Sequence, residues 1–151
     1  MSKKFAVVTD AVSPRFMFEK WLVYYSSLFG IENIYILTYK GLAKGFRGWP
    51  VGGLIELPVA YNDEVRACFV SGFVSALLAA YTGVVRVDVD EFLVPDQRNG
   101  APSLKTFLDG FDGPICQCVA STSSLATTRP TSTSRVPFSS RNASTPTAIR
   151  R

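Results

Sequence analysis

The chain has 151 residues, enough for one modest core and too few for two comfortable domains. Its net charge of +4 is unevenly placed: residues 1–118 carry 11 Lys/Arg against 12 Asp/Glu, and residues 119–151 carry 5 Arg and no acid, so no nucleic-acid partner is expected for the globular part. Histidine is absent, which excludes a His-based triad or general base within this chain, and the three cysteines (Cys68, Cys116, Cys118) form neither a disulfide framework nor a zinc-ligand pattern.

Met1-Ser2-Lys3-Lys4 and the short apolar run behind it make a poor signal peptide. The longest apolar candidate, residues 68–81, is interrupted by Ser71, Gly72 and Ser75 and falls short of membrane length. A soluble, cytoplasmic protein is expected, with no transmembrane segment.

Phe5 to Thr9 reads as a first strand ending at Asp10. Ser13-Pro14 has the form of an N-cap and first helical position. Phe18, Trp21, Leu22, Tyr25, Leu28 and Phe29 then follow helical spacing up to Gly30. Asn33 to Thr38 predicts a second strand, the glycine-rich stretch from Tyr39 to Gly53 a mobile surface loop, and Gly52 to Pro58 a short third strand. Asp63 to Ala80 predicts a helix whose packed face carries Val65, Phe69, Phe73, Leu77 and Ala80. Beyond the acidic strand described next, a short helix from Ser103 and a last strand near Ile115 complete the pattern. Strands and helices alternating at this spacing predict an α/β fold, a mostly parallel, Rossmann-like sheet flanked by helices, with ligands at the carboxyl ends of its strands.

The most informative segment is Val84-Val85-Arg86-Val87-Asp88-Val89-Asp90-Glu91-Phe92, an apolar strand running into three carboxylates. Buried negative charge needs a compensating cation or a place at the open end of the strand. Strand alternation would point Asp88 and Asp90 the same way, so that both could converge on one divalent cation. Arg86 can pair with one of these carboxylates. The ordinary alternative is a half-exposed strand alternating valine with charge.

From Val119 the chemistry changes: 15 of the last 33 residues are Ser or Thr and apolar periodicity disappears. Residues 119–151 read as a disordered, basic, low-complexity tail or as the product of a shifted reading frame, and both readings stay open.

Phe18-x-x-Trp21-Leu22-x-Tyr24-Tyr25-x-x-Leu28-Phe29-Gly30-x-Glu32-Asn33-Ile34-Tyr35-Ile36, followed by Leu77-Leu78-x-x-Tyr81 and Val87-Asp88-Val89-Asp90-Glu91-Phe92-Leu93-Val94-Pro95-Asp96, resembles the family 2-like glycosyltransferases of GT-A fold over about residues 5 to 115. The resemblance implies an incomplete nucleotide-sugar-binding domain at residues 1–118 and transfer of a sugar from a nucleotide-sugar donor to a glycan or other acceptor. It implies Mn²⁺ or Mg²⁺ as cofactor, Asp88 and Asp90 as the Asp-x-Asp metal pair with Asp90 the more direct ligand, and Asp88 and Asp10 as nucleotide-binding residues. Glu91 would either support the pair or cap the following loop. Trp21, Tyr24 and Tyr25 could stack on sugar, although their helical spacing suits core packing. In this fold the catalytic base lies downstream of the Asp-x-Asp region, where this chain has its Ser/Thr tail, so no catalytic residue is identifiable and a truncated, inactive chain is one expectation. Two alternatives stand beside this one: a non-catalytic α/β protein whose basic tail binds nucleic acid or an acidic partner, and a metal-dependent nucleotidyltransferase.

Overall fold

The computed structural model describes residues 3–14, 16–96, 100, 103–113, 115–117 and 147–150. Six strands form one sheet: β1 (Phe5–Asp10), β2 (Ile34–Tyr39), β3 (Gly53–Leu57), β4 (Gly83–Arg86), β5 (Ile115–Gln117) and β6 (Thr147–Arg150). Their order is β3-β2-β1-β4-β6-β5. The first four are mutually parallel and β6 is antiparallel to both of its neighbours. The architecture is the expected α/β, Rossmann-like one.

β1 is buried along its whole length because helices cover both faces of the sheet. Helix α1 (Phe16–Phe29) and helix α3 (Leu104–Gly110) pack on the face carrying Val7, Ile34, Ile36, Val85 and Val87. Helix α2 (Asp63–Leu77) covers the face carrying Ala6, Val8, Leu37 and Val84. The alternation of Val84 and Val85 between these two cores is the pleat that the valine run predicts.

Several expectations shift. Helix α1 begins at Phe16, beyond the Ser13-Pro14 start signal, and its end at Gly30 agrees with that residue's φ of 85°. The stretch from Tyr39 to Gly53 is anchored: Phe46 is buried, and Phe18 lies against Phe46 and Trp49 at ring-centroid distances of 5.2 and 5.6 Å. Helix α2 is rotated from its expected face. Val70, Val74 and Leu77 are buried, Phe69 and Phe73 pack at the margin, and Val65 is exposed. Tyr35 takes the Phe73 ring edge-on at 5.8 Å, so the bulky aromatics flank the seam and smaller valines fill its centre.

Strand β6 falls inside the segment whose composition predicts a disordered tail. Thr147 to Arg150 satisfy backbone groups on both sides, pairing Val84 with Ile149 and Cys116 with Ala148. Sheet pairing with two neighbours is a tertiary term that local composition does not encode. Residues 118–146, Asn142 and Cys118 among them, lie outside the described residues.

Candidate functional site

The sheet order reverses at β1: the chain proceeds from β1 through β2 to β3 on one side, then returns to place β4 on the other. In open α/β sheets such a switch point leaves a crevice beyond the carboxyl ends of the two strands. A cleft of about 760 Å³ lies there, lined by the loop after β1 (Asp10 to Ser13), Met17 and Phe18 of α1, Leu42, Tyr61 and Arg66 beside α2, and Asp88, Val89 and Asp90 beyond β4. Asp10, Asp88 and Asp90, three of the four carboxylates singled out from the sequence, line this one cleft, and Glu91 does not.

Strand β4 ends at Arg86, earlier than expected, although the Val87 amide still donates to the Val8 carbonyl (3.1 Å). Asp88 to Glu91 form a turn in which the Glu91 amide donates to the Asp88 carbonyl (3.0 Å) and the Asp88 amide donates to Glu91 Oε2 (3.2 Å). The Asp-x-Asp pair is therefore presented by a turn and not by strand alternation, and Val89 lines the cleft as well. The Glu91 carboxylate thus braces the turn that carries the pair.

What holds that turn is the aromatic helix. The Tyr25 hydroxyl accepts from the Leu93 amide (2.9 Å) and donates to the Glu91 carbonyl (3.2 Å), and the Tyr24 hydroxyl donates to the Leu93 carbonyl (2.7 Å). Trp21 and Tyr25 are fully buried, with ring centroids 4.8 Å apart. They belong to the core, as helical spacing suggests, and the tyrosines act on the acidic turn through its main chain.

Asp10 and Asp88 are engaged by two arginines in a closed ring of alternating charge. Arg66 donates through Nε to Asp10 Oδ2 (2.6 Å) and through Nη2 to both Asp10 Oδ1 (3.2 Å) and Asp88 Oδ1 (2.9 Å). Arg86 Nη2 lies 3.1 Å from Asp10 Oδ1 and 2.7 Å from Asp88 Oδ1. Tyr39 adds a long hydroxyl contact to Asp10 (3.4 Å). Two carboxylates and two guanidinia cancel in formal charge, which is what permits an Asp10 side chain only 4% exposed at the sheet's rim.

Arg66 escaped the sequence reading, and its signal is topological. A helix that follows a parallel strand starts at the carboxyl rim, so residues of its first turns can reach the cleft. Asn62 fixes that start as N-cap, its Oδ1 accepting from the Glu64 (2.9 Å) and Val65 (3.2 Å) amides, so those amides are already satisfied.

The electrostatics follow from this packing. Burial pushes the Asp88 carboxyl above its ordinary range, outweighing the two guanidinia that pull it down. Burial and the nearby Asp10 charge push the Tyr39 phenol well above its usual value, and hydrogen bonding to Asp10 raises Arg66 further still, keeping it charged. Asp90 is exposed on the cleft wall.

Among the described residues no three His, Cys, Asp or Glu side chains gather so as to hold a metal. Two carboxylates are nevertheless a donor set that suits Mg²⁺ or Mn²⁺: such hard cations take oxygen ligands, and Mg²⁺ in particular is usually held by one or two carboxylates and completed by substrate phosphate and water. Asp88 and Asp90 both line the cleft, Asp88 with its Oδ1 held by Arg66 and Arg86. No helix among the described residues is long and apolar enough to cross a membrane. No family model, no curated protein and no solved structure matches this chain.

Proposed function

We propose that this chain is a nucleotide-sugar-binding domain of glycosyltransferase type, which uses a divalent cation to hold the donor diphosphate. The observation that carries the reading is the meeting of Asp10, Asp88 and Asp90 in one cleft at the switch point between β1 and β4. An open α/β sheet offers nucleotides that position.

In this reading Asp90 and Asp88 hold Mn²⁺ or Mg²⁺, which when bound stabilises negative charge on the departing nucleoside diphosphate. Asp10, fixed by its arginines, helps form the nucleotide pocket, and the Arg66 guanidinium adds donors of the geometry that phosphate oxygens accept. Tyr61, exposed on the cleft wall and set edge-on to Tyr39 at 5.0 Å, offers a face for a planar base. The Tyr24 and Tyr25 hydroxyls keep the acidic turn in place.

Titration calorimetry with a panel of nucleotide sugars, with and without Mn²⁺, tests the proposal. Saturable binding that requires Mn²⁺ and disappears in Asp90→Ala is expected. Donor binding indifferent to both metal and Asp90, or no donor binding at all, would refute it.

A further inference from the structure

We infer that Arg66 is a resident counter-cation of the cleft: it pairs with Asp88 and must let go before a divalent cation can be taken up there, so cation and diphosphate bind as a coupled pair. The inference rests on the proposed nucleotide-sugar reading and adds a control element to that site.

The argument begins with the ring. Asp88 Oδ1 sits 2.9 Å from Arg66 Nη2 and 2.7 Å from Arg86 Nη2. A dication arriving alone at Asp88 would meet a carboxylate already paired with two guanidinia through Oδ1. An anion arriving alone would find both guanidinia already neutralised by carboxylates. Either ligand by itself breaks the charge balance of a partly buried ring, whereas the two together preserve it. Asp88 exchanges a guanidinium for the cation, and the guanidinium exchanges Asp88 for a phosphate oxygen. Coupling of this kind is reciprocal, each ligand tightening the other by the same factor.

Arg66 is the member of the ring built to move. Arg86 belongs to β4, its backbone in register with Val8 of β1, and its side chain is 15% exposed. Arg66 reaches across from α2, forms part of the cleft wall and has a side chain 22% exposed. Its bond to Asp88 uses Nη2 alone, while Nε and Nη2 both hold Asp10, so Asp88 can be released with Asp10 kept as the pivot. A planar guanidinium turned from Asp88 toward the cleft presents donors suited to a diphosphate.

The test is an electron-spin-resonance titration of free Mn²⁺ against wild type, Arg66→Gln and Arg66→Lys, each alone and with saturating UDP or GDP. Wild type is expected to bind Mn²⁺ weakly alone and about 5- to 150-fold more tightly with one of the diphosphates. In Arg66→Gln the affinity for Mn²⁺ alone should rise about tenfold, and the tightening by the diphosphate should shrink by the same factor, leaving the part due to direct cation–phosphate contact. Arg66→Lys keeps the charge and should retain weak binding of Mn²⁺ alone, which separates counter-charge from a general disturbance of folding. If wild type shows coupling and Arg66→Gln leaves the affinity for Mn²⁺ alone unchanged or lower, the counter-cation role is wrong while the donor site survives. If no variant binds Mn²⁺ with either diphosphate, the donor site and this inference fall together.

Discussion

Asp10→Asn removes one negative charge from the ring and keeps the size of the side chain. In the wild type this carboxylate receives Arg66 at 2.6 and 3.2 Å and Arg86 at 3.1 Å, with 4% of its side chain exposed. The amide leaves two guanidinia facing a single carboxylate, Asp88, and turns an NH₂ group toward one of them. Removing one partner of a buried ion pair costs about 3–5 kcal/mol. Because Arg66 and Arg86 are 22% and 15% exposed, water can partly solvate the stranded charge, which places the loss near the lower end, about 3 kcal/mol. Urea denaturation reads this directly. With slopes of about 1–3 kcal/mol per molar for small domains, the midpoint should fall by about 1–3 M at constant slope. Asp88→Asn, at a side chain 21% exposed, should cost less, and Asp90→Asn should leave stability unchanged. A loss below about 1 kcal/mol for Asp10→Asn, or equal losses for Asp10→Asn and Asp90→Asn, would refute the ring as the device that holds Asp10 in place beneath the cleft.

Three further outcomes follow from the packing. Tyr25→Phe leaves the buried Leu93 amide without the hydroxyl it donates to, so denaturation should show a loss of about 1–3 kcal/mol, with faster amide exchange at Leu93 as a local sign. The Tyr81 phenol, raised to about 12 from 10.0 by burial and by its hydrogen bond with Tyr35, binds its proton more tightly in the folded state. Stability is therefore retained below pH 10 and lost as pH rises through about 12, and Tyr81→Phe should make that decline shallower in denaturation curves taken across the range. Asn62→Ala removes the cap of α2 and should lower stability by about 1 kcal/mol in a thermal melt.

The four parallel strands and the helices between them were legible because each carries its own signal: alternation in Val84-Val85-Arg86-Val87, helical spacing from Phe18 to Phe29, Gly30 at a helix end. The gathering of Asp10 with Asp88 and Asp90 was also foreseeable, since carboxyl ends of parallel strands share a rim. What escaped depends on distant partners. The acidic pair leaves the strand for a turn because Tyr24 and Tyr25, more than 60 residues upstream, hold Glu91 and Leu93. Arg66 looks like an ordinary surface charge of a helix until β1 and β4 set Asp10 and Asp88 before it. Strand β6 is hidden in Ser/Thr-rich sequence because its evidence is the vacant pairing edges of β4 and β5, which no local pattern records.

The central claim, that a cation and a nucleoside diphosphate meet in the cleft between β1 and β4, is tested most directly by paramagnetic broadening in the amide spectrum of the full chain. Mn²⁺ added with a bound nucleoside diphosphate should broaden Ala11 to Ser13, Arg66 and Asp88 to Glu91, while Gly30 and Thr82 at the opposite rim stay sharp. Broadening centred on that opposite rim, or spread evenly over the protein, would contradict the account.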